Sequence, residues 1–84
     1  MRLVLLMKVS KLVSERELAK LAKRYRIAAG KTRAEASRDM GIKHPSIFHA
    51  EETPGKGYHA LRRRMIEAYS VFKVTGPFYR LDVK

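Results

Sequence analysis

Apolar residues recur every three or four positions from Leu18 to the Ala28–Ala29 pair, which is the spacing of one buried stripe on an α-helix. Just before this stretch, Ser14 and Glu17 match a capping box, in which each side chain accepts a hydrogen bond from the other residue's backbone N–H. Gly30 follows the stretch, and a glycine in the left-handed conformation commonly ends a helix. The pattern therefore predicts a helix between Ser14 and Gly30.

Two shorter helices are predicted next, on either side of Gly41. Thr32 and Glu35 repeat the capping-box pattern, and Gly41 suits the positive φ that ends a helix. Pro45 is well tolerated in the first turn of a helix, because its missing N–H would have no partner there. A third helix is therefore expected from residue 44 or 45 to residue 51 or 52. The side chains expected to point inward are Ala36, Met40, Ile47 and Ala50, with Ile42 in the turn.

A fourth helix and a β segment complete the predicted elements. Residues 53–57 combine proline and glycine in a loop, and the helical period then returns from Tyr58 to Phe72. Leu61, Met65 and Ala68 or Tyr69 are expected inside, whereas Arg62, Arg63, Arg64 and Glu67 are expected mostly outside.

Residues 71–74 and 78–83 alternate apolar with polar around a turn at 75–77, which indicates a strand pair or one bent strand. An isolated hairpin is only marginally stable, so these strands must pack on the helices, pair with the N-terminal run or pair with a second subunit.

The predicted fold is mainly α, a compact domain of four to five helices with a short C-terminal β-strand or hairpin. One domain is expected, because 84 residues are too few for two separate cores. Its parts are an N-terminal extension over residues 1–13, which could form a short strand, a helical domain over 14–72, and a β segment over 73–84 that could serve in dimerisation.

Charge is the most informative feature of the composition. Nineteen Lys and Arg against eight Asp and Glu give a formal net charge of +11, and such a field attracts polyanions. Nucleic acid is the commonest partner of a folded domain this basic, while an anionic membrane surface or an acidic protein is an alternative partner.

The lack of cysteine excludes disulfides, thiolate nucleophiles and Cys-based zinc sites. The apolar run from Leu3 to Met7 is too short to cross a bilayer, so we expect a cytoplasmic protein that does not bind membranes.

The block from Thr32 to Glu51 resembles the helix-turn-helix of Cro and phage-repressor-like DNA-binding proteins. The family pattern is roughly Thr-Gln-x-x-Leu-Ala-x-x-Leu-Gly-Val-Ser-x-x-x-Ile-x-x-x-Glu, and the likeness extends back to Arg26 and forward into the fourth helix. It implies a lambda-repressor-like domain whose second motif helix, around residues 45–51, enters the major groove of DNA. The chain departs from the pattern at Arg33, where glutamine is usual, at Ala36, where leucine is usual, at Thr53, where glycine is common, and at Pro45 and Phe48.

The resemblance, carried over by position, implies which residues contact DNA. Those implied at base edges are Lys43, His44, Pro45, Ser46 and His49. Thr32 and Arg33 are implied at a backbone phosphate, and a guanidinium beside a helix N-terminus adds its charge to the positive end of the helix. Arg62 and Arg63 could add phosphate contacts or belong to a solvated face. The resemblance also implies a structural contact between Glu51 and Arg26.

Phe48 stands at a position that is normally polar, so its role stays open. Its ring could touch a thymine methyl group, cover Ala36 or make another contact.

No metal or cofactor is expected, because His44 and His49 are five positions apart and lie on different sides of a helix. No paired carboxylates and no nucleophile–base spacing stand out, so we expect neither catalytic residues nor an enzyme.

Our first hypothesis is a sequence-specific regulator of transcription that binds double-stranded DNA, acts as a repressor and works as a homodimer on two half-sites. An antitoxin that represses its own operon and has a toxin partner is a variant of this hypothesis. The rival hypothesis, from another class, is a basic protein-interaction module that binds an acidic partner and never touches DNA.

Overall fold

Four helices and a small antiparallel sheet make up the computed structural model, which describes residues 10–53, 57–75 and 80–84. In chain order the elements are β1 (Ser10–Leu12), α1 (Glu15–Ala28), α2 (Arg33–Met40), α3 (His44–Glu52), α4 (His59–Tyr69), β2 (Phe72–Thr75) and β3 (Arg80–Val83). The mainly α fold with a C-terminal hairpin is therefore confirmed, and α3 has the bounds that the sequence predicts. Residues 1–9 of the extension expected over residues 1–13, and residues 76 and 77 of the turn expected over residues 75–77, lie outside the described residues.

Both capping boxes form as predicted. At α1, Ser14 Oγ accepts from the Glu17 N–H at 3.1 Å, and Glu17 Oε1 accepts from the Ser14 N–H at 3.0 Å. At α2, the corresponding distances between Thr32 and Glu35 are 3.0 and 2.8 Å. The backbone hydrogen bond from Thr32 holds the pKa of the Glu35 carboxyl below its usual value, and the Thr32 hydroxyl adds to the effect. Gly41 ends α2 with φ of 69°, in the left-handed region.

The fourth helix is shorter than predicted. It ends at Tyr69, and Phe72 begins a strand instead of the last helical turn. Ser70 explains this change, because its hydroxyl donates to the Ile66 carbonyl at 2.5 Å and accepts from the Phe72 N–H at 3.1 Å. One serine thus satisfies a free carbonyl of the helix and the first amide of the strand.

The C-terminal hairpin gains its third strand from the N-terminal part of the same chain. The strand order is β1-β3-β2, and both pairings are antiparallel. Leu81 lies opposite Lys11 on one side and Val74 on the other. Of the three arrangements that the sequence leaves open, the structure shows two, namely pairing with the N-terminal run and packing of β2 on α4.

A single hydrophobic core joins the helices to the sheet. Its buried side chains are Val13, Leu18, Ala22, Ala36, Met40, Ile47, Ala50, Leu61, Met65, Ile66, Val74 and Leu81. The four predicted inward residues of α2 and α3 are all among them. Ile66 was not predicted, and it is fully buried because α4 packs on both α1 and β2. Val74 and Leu81 belong to this same core, so the β segment is an integral part of the domain.

Candidate nucleic-acid interface

The segment from Arg33 to Glu52 forms two helices joined by a three-residue turn, and we call it the α2–turn–α3 unit. In the turn, the Gly41 N–H donates to the Arg38 carbonyl at 3.2 Å and the Ile42 N–H donates to the Ser37 carbonyl at 3.0 Å. These bonds occupy carbonyls at the end of α2, which a helix terminus otherwise leaves free. The unit therefore holds its change of direction with its own backbone.

The α3 helix has one buried side and one open side. Ile47, Ala50 and Glu51 are buried, since α3 packs against α1, α2 and α4. The residues predicted to reach base edges lie on the open side and at the N-terminal end. Lys43, His44, Pro45 and His49 are exposed, and Ser46 is half-buried. The fold thus brings all five to one surface.

A buried ion pair fixes the inner side of α3. Glu51 is buried, and its two carboxylate oxygens accept from Arg26 of α1 at 2.5 and 3.1 Å. Arg26 also donates to the Lys31 carbonyl at 2.7 Å, beyond the end of α1. Bidentate pairs of this kind are the stronger and more directional class of ion pair. The contact between Glu51 and Arg26 that the resemblance implies is therefore present.

Thr32 and Arg33 lie at the start of α2, as predicted, but both are already bonded within the chain. The Thr32 hydroxyl accepts from Glu35, and Arg33 donates to Glu51 at 3.0 Å and to Glu52 at 2.7 Å. The Arg33 side chain is 28% exposed. Arg33 is held by two carboxylates that it shares with Arg26 and Lys23, so the geometry favours a positioning role for Arg33 over a direct phosphate contact.

Glu52 links α3 to a second cation at the surface. Lys23 of α1 donates to its Oε2 at 2.7 Å, the same oxygen that accepts from Arg33. The hydrogen bond from Lys23 holds the pKa of the Glu52 carboxyl below its usual value, and the charges of Lys23 and Arg33 act in the same direction. Carboxylates at the C-terminal end of α3 therefore hold cations from both α1 and α2.

The prediction that Arg62 lies outside and contacts phosphate is wrong. Its side chain is 0% exposed and donates to the Ala50 carbonyl at 2.7 Å, the Thr53 carbonyl at 2.8 Å and Glu15 at 2.6 Å. The two carbonyls belong to the end of α3, where helical partners are missing. Arg63, the next residue, is exposed and keeps its predicted position.

The sequence carried one signal for the burial of Arg62. Ile66 lies four positions further on, so the two residues share a face of α4 beside the stripe of Leu61 and Met65. A buried face this wide suits a helix that packs on two neighbours. Arg64 is exposed, as expected, and it donates to the Met40 carbonyl at 2.7 Å, at the end of α2. Two adjacent helices of the unit are therefore capped by arginines of α4.

Phe48 contacts Arg33 and His49. The Arg33 guanidinium lies 5.0 Å from the centre of the phenyl ring, and the His49 ring meets it edge-on at 5.5 Å. His49 in turn stacks on Tyr58 with ring centres 5.8 Å apart. Phe48 nevertheless stays 42% exposed. A row of rings therefore runs along the open side of α3.

The described residues contain no cluster of three or more His, Asp or Glu side chains that could hold a metal ion. Over the same ranges, no helix has both the length and the apolar character needed to cross a membrane.

Comparisons with models of protein families, with curated proteins and with solved structures find no match for this chain. The resemblance in the block from Thr32 to Glu51 therefore stays a prediction from the residues themselves.

Proposed function

We propose that this protein is a sequence-specific regulator of transcription that binds double-stranded DNA with α3 in the major groove. The observation that carries the proposal is the division of α3 into a buried side and an open side that presents Lys43, His44, Ser46 and His49. An α-helix fits the major groove, and side chains of these types donate to or accept from base edges.

The hydrogen bonds that hold α3 in place favour a role in contacting DNA bases over a role as a solvated surface helix. Its inner side is bonded to Arg26 and its last turn to Arg62. A helix that must place side chains against base edges to within about 0.5 Å needs such support.

The net charge of +11 supplies the sequence-independent part of the proposed affinity. Release of counterions from DNA drives such binding, and each phosphate contact adds about one unit to the slope of log affinity against log salt. Arg63 on α4 is exposed. We assign the phosphate contacts to exposed cations such as Arg63, and a positioning role to Arg33.

We further propose that the protein acts as a homodimeric repressor in the cytoplasm. Three or four side chains of one helix reach base edges, so one copy discriminates only a short half-site. Two copies on half-sites about 10 base pairs apart would double that information. Sedimentation of the complex together with dyad symmetry in the selected sequence would support the dimer, and a 1:1 complex on an asymmetric site would contradict it.

Selection of bound duplexes from a random pool, followed by fluorescence anisotropy on the selected sequence, tests the proposal. Arg63→Ala should weaken binding to every duplex, whereas Lys43→Ala and His49→Ala should lower the preference for the selected duplex over a scrambled one. Lys73→Ala is the matched control, because this exposed lysine lies on β2, outside the α2–turn–α3 unit. It should change affinity little.

Failure to bind any duplex at low ionic strength would overturn the proposal. Equal effects of Lys43→Ala and Lys73→Ala on all sequences would overturn the assignment of α3 as the reading helix. If no duplex is bound, retention of the protein on an acidic protein partner would favour the interaction-module hypothesis.

A further inference from the structure

Phe48 presents a large apolar ring on the surface where the proposed function places DNA. The ring is 42% exposed, and Pro45, three positions earlier on α3, is exposed as well. Residues three apart on a helix are neighbours. The open side of α3 therefore carries an apolar strip, defined here as Pro45 and Phe48, beside the polar side chains of Lys43, Ser46 and His49.

The ring of Phe48 is held in place by groups that are themselves held. Arg33 covers one face of the ring at 5.0 Å, and the guanidinium is bonded to Glu51 and Glu52. His49 meets the ring edge-on, and its other neighbour is Tyr58. A ring fixed in this way loses little freedom when it meets a partner. The phenyl ring has no hydrogen-bonding group, so the partner that suits it is an apolar group and not an anion.

We infer that Phe48, together with Pro45, contacts the 5-methyl group of thymine and so makes α3 select T·A pairs at that position. This inference rests on the proposed function and deepens it. In the major groove the thymine methyl is the apolar group, whereas the other features of the base edges are hydrogen-bond donors and acceptors. A phenyl ring cannot bond to those groups and would only take them out of water, which costs free energy.

The test replaces thymine by deoxyuridine, one position at a time, in the duplex recovered by selection. This change removes the methyl group and leaves the hydrogen-bonding edge intact. For the thymine in contact with Phe48, affinity should fall about fourfold, the change that corresponds to about 0.8 kcal/mol for one buried carbon. Fluorescence anisotropy on the full chain measures the effect without any variant.

Phe48→Ala then assigns the effect to this ring. The variant should bind the thymine and deoxyuridine duplexes with nearly equal affinity, because the larger of the two apolar groups at the methyl is gone. Val71→Ala is the matched control, since Val71 is 64% exposed and lies outside α3, after the end of α4. It should keep the fourfold difference.

The outcomes separate this inference from the proposed function. A selected duplex whose affinity is unchanged by deoxyuridine at every position would overturn the thymine contact and leave DNA binding intact. A fourfold loss that persists in Phe48→Ala would overturn it too, by moving the contact to another residue. A protein that binds no duplex at all would overturn both.

Discussion

Arg62 and Arg63 are adjacent in the chain and have opposite environments. Arg62 is fully buried and donates to two backbone carbonyls and one carboxylate, whereas Arg63 is exposed. A buried guanidinium is stable only when most of its donors find acceptors, and here Ala50, Thr53 and Glu15 supply them. The side chain thus joins the end of α3 to α4 and to the start of α1.

We predict that Arg62→Ala lowers the free energy of unfolding by about 3 kcal/mol or more, because it leaves the two carbonyls without their partner. Arg63→Ala should change it by less than about 0.5 kcal/mol, as surface substitutions usually do. Urea unfolding followed by circular dichroism measures both. Equal stability of the two variants would contradict the structural role of Arg62.

Tyr69 and Asp39 form a titratable pair that ties the end of α4 to α2. The Tyr69 hydroxyl donates to Asp39 at 2.6 Å, and Lys31 lies 3.3 Å from the same carboxylate. Burial raises the pKa of the Tyr69 phenol well above its usual value, and the bond to Asp39 adds to the rise. The bond from Tyr69, followed by that from Lys31, lowers the pKa of the Asp39 carboxyl.

These shifts predict a dependence of stability on pH at both extremes. A raised Tyr69 pKa contributes stability that is fully present below the ordinary value of about 10 and is lost as the pH rises above it. A lowered Asp39 pKa contributes stability that is present above the ordinary value of about 4 and is lost as the pH falls. The free energies of unfolding of the wild type and of Tyr69→Phe, measured in urea, should therefore differ at neutral pH and approach each other as the pH rises above about 10. A difference that stays constant into the alkaline range would contradict the pair.

At the scale of elements, β2 is one of the two edge strands of the sheet, in the part of the chain that the structure describes. β3 lies between β1 and β2, so the outer side of β2 has no strand neighbour among the residues that the structure describes. Two amides on that side are bonded to side chains, Val74 to Glu67 at 2.9 Å and Phe72 to Ser70 at 3.1 Å. Open edges with free amides invite pairing with other chains, and these bonds remove two such amides.

We predict that Glu67→Ala speeds hydrogen exchange of the Val74 amide by about tenfold or more, because hydrogen bonds to charged groups contribute about 1.5 kcal/mol or more. The Phe72 amide is the internal control, since its partner Ser70 is unchanged. Exchange measured by nuclear magnetic resonance resolves the two amides. Unchanged protection at Val74 would show that Glu67 does not guard this edge.

Local signals explain why the first three helices were predictable. The two capping boxes and Gly41 act within a few residues of the boundaries that they set. The end of α4 was not predictable, because the period continues to Phe72 while the hydroxyl of Ser70 bonds the backbone on both sides. The pairing of β3 with β1 stayed open, since it joins segments about 70 positions apart, as Lys11 and Leu81 are.

The sequence predicts which side chains of α3 are exposed, but it does not predict the hydrogen-bond partners of the arginines around them. Helical spacing alone places Ile47 and Ala50 inside and His49 outside. Whether Arg33 meets a phosphate or a carboxylate depends on where Glu51 and Glu52 lie in space. Arg62 differs from Arg63 for the same reason, because only the packing of α4 on its neighbours decides which of two adjacent arginines is buried.

At the scale of the whole molecule, one buried carboxylate connects three helices. Glu51 of α3 bonds Arg26 of α1 and Arg33 of α2. A domain of this size is stabilised by only about 5 to 15 kcal/mol in total, so a single central contact can account for a large share of it. The orientation of α3 relative to the rest of the proposed DNA-binding surface therefore depends on this cluster.

We predict that Glu51→Leu lowers the free energy of unfolding by about 3 to 5 kcal/mol, because Arg26 is left buried without its carboxylate. The double variant Arg26→Met and Glu51→Leu should recover most of that loss, since replacing a whole buried pair by apolar residues of similar volume is often neutral or stabilising. Urea unfolding of both single variants and the double variant gives the coupling between the two residues. Additive losses would mean that the two residues stabilise the fold independently, and would contradict the coupling. The double variant should also bind the selected duplex more weakly than its stability explains, because Arg33 loses one of the two carboxylates that hold it over Phe48.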